Sequence, residues 1–206
     1  QLYSSTAYTA DSTYYAWWAK NVPAYPREPR QPDASDFITK VVMVTAESWE
    51  AKSRWFFDVN QQQFDPTPEI TEKVNEIFKD AGVANGTIEE KAEVLVHWVA
   101  QNIRYSGQTM GEGEGFTLHP GDMIFEQRSG VCKDIAGMLI TMMRAAGFDD
   151  IEGGVASFPA MTMAGSRIEL VPADQFNHCV CALRMPDGEF VMYDPTWVPY
   201  LSLIHI

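Results

Sequence analysis

Apolar and polar positions change their rhythm along this chain. Between residues 67 and 82 the apolar residues Ile70, Val74, Ile77, Phe78 and Ala81 recur at helical spacing. Thr67 can cap that helix, Pro68 suits its first position, where the missing N–H costs nothing, and Gly82 ends it. Thr87 and Glu90 form a capping box that opens a second helix burying Leu95, Val96, Trp98, Val99 and Ile103. A third helix is predicted to start near Cys132 and stop at Gly147, with Ile135, Leu139, Met142, Met143 and Ala146 along its apolar side. Beyond it the pattern reads as strand over 151–157, 166–171, 177–184 and 189–195, with Pro186-Asp187-Gly188 as the turn between the last two. Helices followed by an antiparallel sheet predict an α+β fold.

The region before the first helix reads differently. Residues 1–22 are rich in Tyr, Trp, Thr and Ser, which favour strands. Pro23, Pro26, Pro29 and Pro32 then mark an extended linker, and 38–45 is a further short strand candidate. Residues 1–45 cannot close a β-domain by themselves. They are expected to be the C-terminal remnant of an upstream β-domain plus its Pro-rich linker, with 46–200 as the main domain. Residues 201–206 resemble a translated sequencing adapter and are expected to be a non-native tail, so His205 carries no functional weight.

Composition narrows the classes of function. A 46% hydrophobic chain of 206 residues can bury a substantial core. Fifteen Lys and Arg against 28 Asp and Glu leave a net charge of −13, which repels phosphate backbones and anionic lipid. No apolar run reaches the roughly 18 residues a membrane helix needs. Three cysteines exclude a fully paired disulfide set, and a bridge between Cys179 and Cys181, two apart on one strand, would be strained.

Candidate chemistry centres on Cys132. At a helix N-terminus, unpaired N–H groups and the helix dipole favour thiolate over thiol. Gly130 would let the chain turn tightly into the helix, and Ala136 and Gly137 would allow close packing on its inner side. On position alone a buried structural cysteine is the commoner reading. His178 opens one predicted strand and Asp194 closes the next, so the hairpin sets them opposite or diagonal across the ladder, with register deciding whether they share a face. A carboxylate beside an imidazole fixes its tautomer and stabilises the imidazolium formed when a thiol gives up its proton; otherwise the two are an ordinary cross-strand pair. Zinc at Cys132, His178, Cys179 and Cys181 is disfavoured, because His178 and Cys179 point to opposite faces and no CxxC spacing occurs. His97 is expected on a helix surface and His119 in a loop, each isolated; Met138, Met142 and Met143 are core.

The strings VLVHWVAQNIRY (94–105), RSGVCKDIAGMLITMMRAAGF (128–148) and FNHCVCALRMPDGEFVMYDPTW (176–197) resemble the transglutaminase-like core, a papain-like superfamily. Cys132, His178 and Asp194 fall on the family's Cys, His and Asp positions. AWWAKNVPAYPREP (16–29), ESWEAKSRWF (47–56) and HPGDMIFEQRSGVCKD (119–134) resemble bacterial proteins that pair a β-sandwich with this core. Val131 departs from the pattern, since those relatives carry Asp or another polar residue there. The resemblance implies a nucleophile at a helix N-terminus packed on an antiparallel sheet, preceded by the last strands of a β-sandwich. It implies cysteine-dependent acyl transfer on a peptide or protein substrate, by a peptidase or amidase before a crosslinking enzyme, with no cofactor. The alternative is a catalytically silent binding module, and the resemblance points to the bacterial cell envelope. The Cys132 backbone N–H is the first oxyanion donor to consider, with Gln127 or Tyr105 as side-chain candidates for the second.

Overall fold

The computed structural model describes residues 2–25, 28–32, 38–106, 115–162 and 171–196. Its elements run β1 (Leu2–Tyr8), β2 (Thr13–Ala19), α1 (Trp49–Asn60), a short 3-10 turn (Gln61–Phe64), α2 (Pro68–Asp80), α3 (Ile88–Asn102), β3 (Arg104–Tyr105), α4 (Gly121–Gln127), β4 (Ser129–Gly130), α5 (Cys132–Ala145), β5 (Ala156–Thr162), β6 (His178–Arg184) and β7 (Phe190–Tyr193). Helices come first and the antiparallel sheet β5-β6-β7 follows, so the α+β expectation holds.

Helix ends form where the residues dictate. The Thr67 side chain accepts from the Ile70 N–H and Pro68 occupies the first position of α2. At α3 both halves of the capping box exist, with Glu90 N–H to Thr87 at 3.2 Å and Thr87 N–H to Glu90 at 2.8 Å. Gly82 and Gly147 take positive φ just past α2 and α5, the conformation an L side chain resists.

Helix α5 is the axis of the molecule. It runs through the core, packed against β5 and β6 on one side and α2, α3 and α4 on the other. Ile135, Ala136, Met138, Leu139, Ile140, Met142 and Met143 are all buried, as expected of a helix enclosed on most sides. A Cβ on Gly137 would stand 3.1 Å from Leu118 and 3.5 Å from Phe64, so the close packing expected at Ala136 and Gly137 occurs. Two buried polar groups are matched within this core. Thr141 donates to the Gly137 carbonyl at 2.9 Å. Asn60, fully buried, donates to the Phe56 and Phe116 carbonyls and accepts from the Leu118 N–H at 2.7 Å, which fastens the segment leading to His119.

Three expectations are corrected. Residues 38–45 form no strand. Residues 151–154 are a turn, and the strand predicted there begins only at Ala156. Gly130 does not take a positive φ; what excludes a side chain is Asp134, whose Cβ would lie 2.6 Å from an added one. Helix α1 was not foreseen. Its aromatic residues are spread around the axis: Trp49 meets Phe176, Trp55 and Phe56 meet Phe116, and Phe57 meets Phe158, so no single stripe appears. The predicted strand at 166–171 lies, apart from Val171, outside the described residues, as do 201–206.

The hairpin β1–β2 is antiparallel, with Tyr3 opposite Trp18 and Ser4 opposite Trp17. Only Tyr3 is even half-buried; every other residue of both strands is exposed. Among the described residues no helix is long and apolar enough to cross a membrane.

Candidate active site

Cys132 is the first residue of α5, with Val131 as its N-cap. Valine has no side-chain acceptor, so only half a capping box exists: the Asp134 carboxylate accepts from the Val131 N–H at 3.1 Å. The Cys132 thiol is partly exposed, whereas Cys179 and Cys181 are fully buried. Burial, reinforced by the charges of Cys132, Asp134 and Asp194, pushes the Cys179 thiol up to about 12. Burial raises Cys181 as well, and its sulfur lies 3.5 Å from that of Met143. Of the three thiols, only Cys132 is placed to react.

His178 opens β6 and Asp194 follows β7. Cys181 pairs with Tyr193 and Ala182 with Met192; the same register continued sets His178 opposite Thr196 and Val180 opposite Asp194. His178 and Asp194 are therefore diagonal neighbours on one face, and their side chains meet, with Nε2 2.7 Å from Oδ2. The other carboxylate oxygen accepts from the Thr196 N–H at 2.9 Å and its hydroxyl at 2.5 Å, which holds Asp194 from behind. Both side chains are about a quarter exposed. The alternation along β6 sends Cys179 and Cys181 into the core and leaves His178 on the opposite face. Among the described residues, no three His, Cys, Asp or Glu are grouped to hold a metal.

Strands β3 and β4 bring Tyr105 close to Cys132. They pair in parallel, Tyr105 opposite Gly130. Desolvation raises the Tyr105 hydroxyl above the ordinary phenol range. The Cys132 and Asp194 charges push the same way, while a hydrogen bond from the Cys132 backbone pulls it back. The Tyr105 phenol and the buried Cys179 thiol therefore each feel the charges of both Cys132 and Asp194. The other side-chain candidate, Gln127, is exposed at the end of α4.

The expectation that His119 is isolated is wrong. Its Nδ1 lies 2.9 Å from Asp134 Oδ1, and its N–H donates to the same oxygen at 3.3 Å. His97 is exposed on α3, as expected. No local pattern marks His119: it precedes a proline in a loop, and its partner lies 15 residues on.

A family model described as the transglutaminase-like superfamily matches residues 75–195, which span everything from α2 to Asp194. The chain belongs to the transglutaminase-like superfamily. A search of curated proteins returned no match. Among solved structures, a candidate protease from Parabacteroides distasonis superposes with a TM-score of 0.60 at 17% identity, over 94% of this chain and 36% of that one. The chain thus spans little more than a third of that protein's length, and the likeness is one of fold. A candidate cysteine protease from Cytophaga hutchinsonii gives a TM-score of 0.41 at 18% identity, over 65% of this chain and 40% of that one, too low to argue from.

Proposed function

We propose that this chain is a cysteine hydrolase that cleaves amide bonds of peptides or proteins through an acyl-enzyme on Cys132. The observation that carries this reading is the His178–Asp194 contact of 2.7 Å in a transglutaminase-like fold whose one partly exposed thiol opens the central helix. Asp194 engages Nε2, so Nδ1 is the nitrogen left to take the proton of the Cys132 thiol and deliver it to the departing amine. The sulfur attacks the carbonyl carbon, the C–N bond breaks, and water releases the acid. The Cys132 N–H and the nearby Tyr105 hydroxyl are the donors offered to the developing oxyanion. Water is favoured over a lysine amine as acceptor by the resemblance to bacterial proteins of this architecture alone.

A second reading has an observation of its own. The Tyr105 hydroxyl lies close to Cys132, near where a substrate oxygen would have to sit. If it never leaves, the domain is a binding module. The test is incubation with a mixed peptide library and mass-spectrometric reading of the products. New termini that vanish with Cys132→Ala are the expected result. Isopeptide products would move the assignment to crosslinking, and a chain that makes no Cys132-dependent product would leave the binding module.

A further inference from the structure

The peptide planes that lead into Cys132 are held by hydrogen bonds at the Gly130 and Val131 carbonyls and at the Val131 N–H. The Gly130 carbonyl accepts from the Ser106 N–H at 2.9 Å, and the Val131 N–H of the same plane donates to Asp134 Oδ2 at 3.1 Å. In the next plane, the Val131 carbonyl accepts from the Asp134 and Ile135 N–H groups, both at 3.0 Å, and the Cys132 N–H is the remaining donor. Three of these bonds are backbone pairings or the start of the helix. The bond to Val131 is different, because it depends on the rotation of one side chain.

That side chain is itself held. Asp134 is 2% exposed, and a carboxylate that deep is tolerated only with donors around it. Its Oδ1 takes both the N–H and Nδ1 of His119, which fixes the carboxylate plane so that Oδ2 faces Val131. Its Cβ fills the space over Gly130, where no side chain would fit. The segment carrying His119 is anchored by other bonds. Leu118 N–H reaches Asn60, and Lys133 reaches the Gly115 and Thr117 carbonyls.

We infer that Asp134 and His119 are positioning residues: by locking the Val131 amide they aim the Cys132 N–H as an oxyanion donor. This rests on the acyl-transfer reading above. It differs from a plain structural role in one respect. A reaction that develops an oxyanion should depend on the pair, and one that uses the same thiol without an oxyanion should not.

Two reactions of Cys132 separate these cases. Acylation by p-nitrophenyl acetate forms the S–C bond at a carbonyl, passes through an oxyanion and expels p-nitrophenolate. Alkylation by iodoacetamide displaces iodide at a tetrahedral carbon and forms none. For Asp134→Ala and His119→Gln, acylation at Cys132 should fall on the order of 10- to 100-fold, as for a donor displaced by about 1 Å. Alkylation should stay within about twofold of wild type. Asp134→Asn, which keeps an acceptor for Val131, should recover part of the acylation rate. If Asp134→Ala does not fold, His119→Gln carries the test, since it leaves the carboxylate in place. Equal losses in both reactions in a folded variant, or no loss in either, would overturn the positioning role. A wild type that is alkylated but never acylated at Cys132 would remove the acyl-transfer reading, and the positioning role with it.

Discussion

Two His–Asp pairs, one carried by the sheet and one by the first turn of α5, are alike in chemistry and opposite in setting. His178 and Asp194 meet at the open end of the sheet, 26% and 27% exposed; His119 and Asp134 meet behind the helix, 12% and 2% exposed. In the first, the carboxylate has two further bonds, both from Thr196, and it engages the imidazole through Nε2. In the second, the carboxylate also binds the Val131 N–H, in the turn that leads into Cys132. A pair that moves protons needs reach and room, whereas a pair that holds geometry needs burial and satisfied bonds. The difference lies in what surrounds each pair, not in the pair itself.

The largest expected effect breaks this comparison along its functional axis. On a peptide the protein cleaves, His178→Ala should lower turnover by about 10²- to 10⁴-fold, the usual worth of a general base. His119→Gln should lower it by roughly tenfold, within the range for a misplaced group. Cys132→Ala should abolish it with little loss of stability, since the thiol leaves only a small void. Equal effects at His178 and His119 would erase the distinction between the pairs.

Stability should rank them the other way. Asp134→Ala strands the Val131 N–H and two His119 donors in a buried site, at a cost of about 1–3 kcal/mol for each donor left unsatisfied. Asp194→Ala breaks a pair that water can reach and should cost about 1 kcal/mol or less. Urea unfolding of the two variants gives the ordering directly. An Asp194 variant less stable than the Asp134 one would mean that the exposed pair, too, is chiefly structural.

Much of this was legible in the residues, and the misses have physical causes. The caps at Thr67, Thr87 and Gly82, the apolar side of α5 and the Pro186-Asp187-Gly188 turn are local signals, and each formed where expected. The turn also brought His178 near Asp194, although only the register showed the contact to be diagonal. The buried pair was invisible for the converse reason. Asp134 reads as an ordinary first-turn acid, and nothing near His119 announces a partner across a loop. Composition misled in both directions: α1 scatters its aromatic residues over several neighbours, and 38–45 is rich in β-branched residues yet forms no strand.

A smaller effect concerns the thiols that share β6 with His178. Cys179 is held at about 12 by burial, and Cys181 is raised in the same way. In the unfolded chain both should titrate near 8.5. Each is thus protonated when folded and ionised when unfolded over the interval between. Their contribution is intact below about pH 8.5 and is lost as pH rises towards 12. Iodoacetamide near neutral pH should label Cys132 alone, with Cys179 and Cys181 labelled only as the protein unfolds in alkali. Peptide mapping after labelling reads this. Early labelling of Cys179 would show that the strand beginning at His178 opens readily, which would weaken the case for a firmly held base.

The smallest expected effect asks whether either pair depends on the N-terminal hairpin. The hydrophobic core draws on Phe56, Phe64 and residues after them, and none from β1 or β2. The hairpin aromatic residues instead stack on each other, Tyr3 on Trp18 and Tyr15 on Trp17, with Trp17 and Trp18 still 46% and 43% exposed. Such a ribbon is marginal alone and offers open edges for association. A chain beginning at Ser48 retains the cap of α1, every core residue and both His–Asp pairs. Its melting temperature should therefore lie within about 3 °C of the full chain, equivalent to roughly 1 kcal/mol at this size. Acylation of Cys132 should be unchanged, and light scattering on heating should fall because the aromatic edges are gone. A larger drop in melting temperature would mean that residues 1–45 cover part of the core and that the domain boundary near residue 46 is misplaced. A drop in acylation at unchanged stability would be more instructive still, because it would place the hairpin's aromatic residues at the mouth of the site rather than in a separate unit.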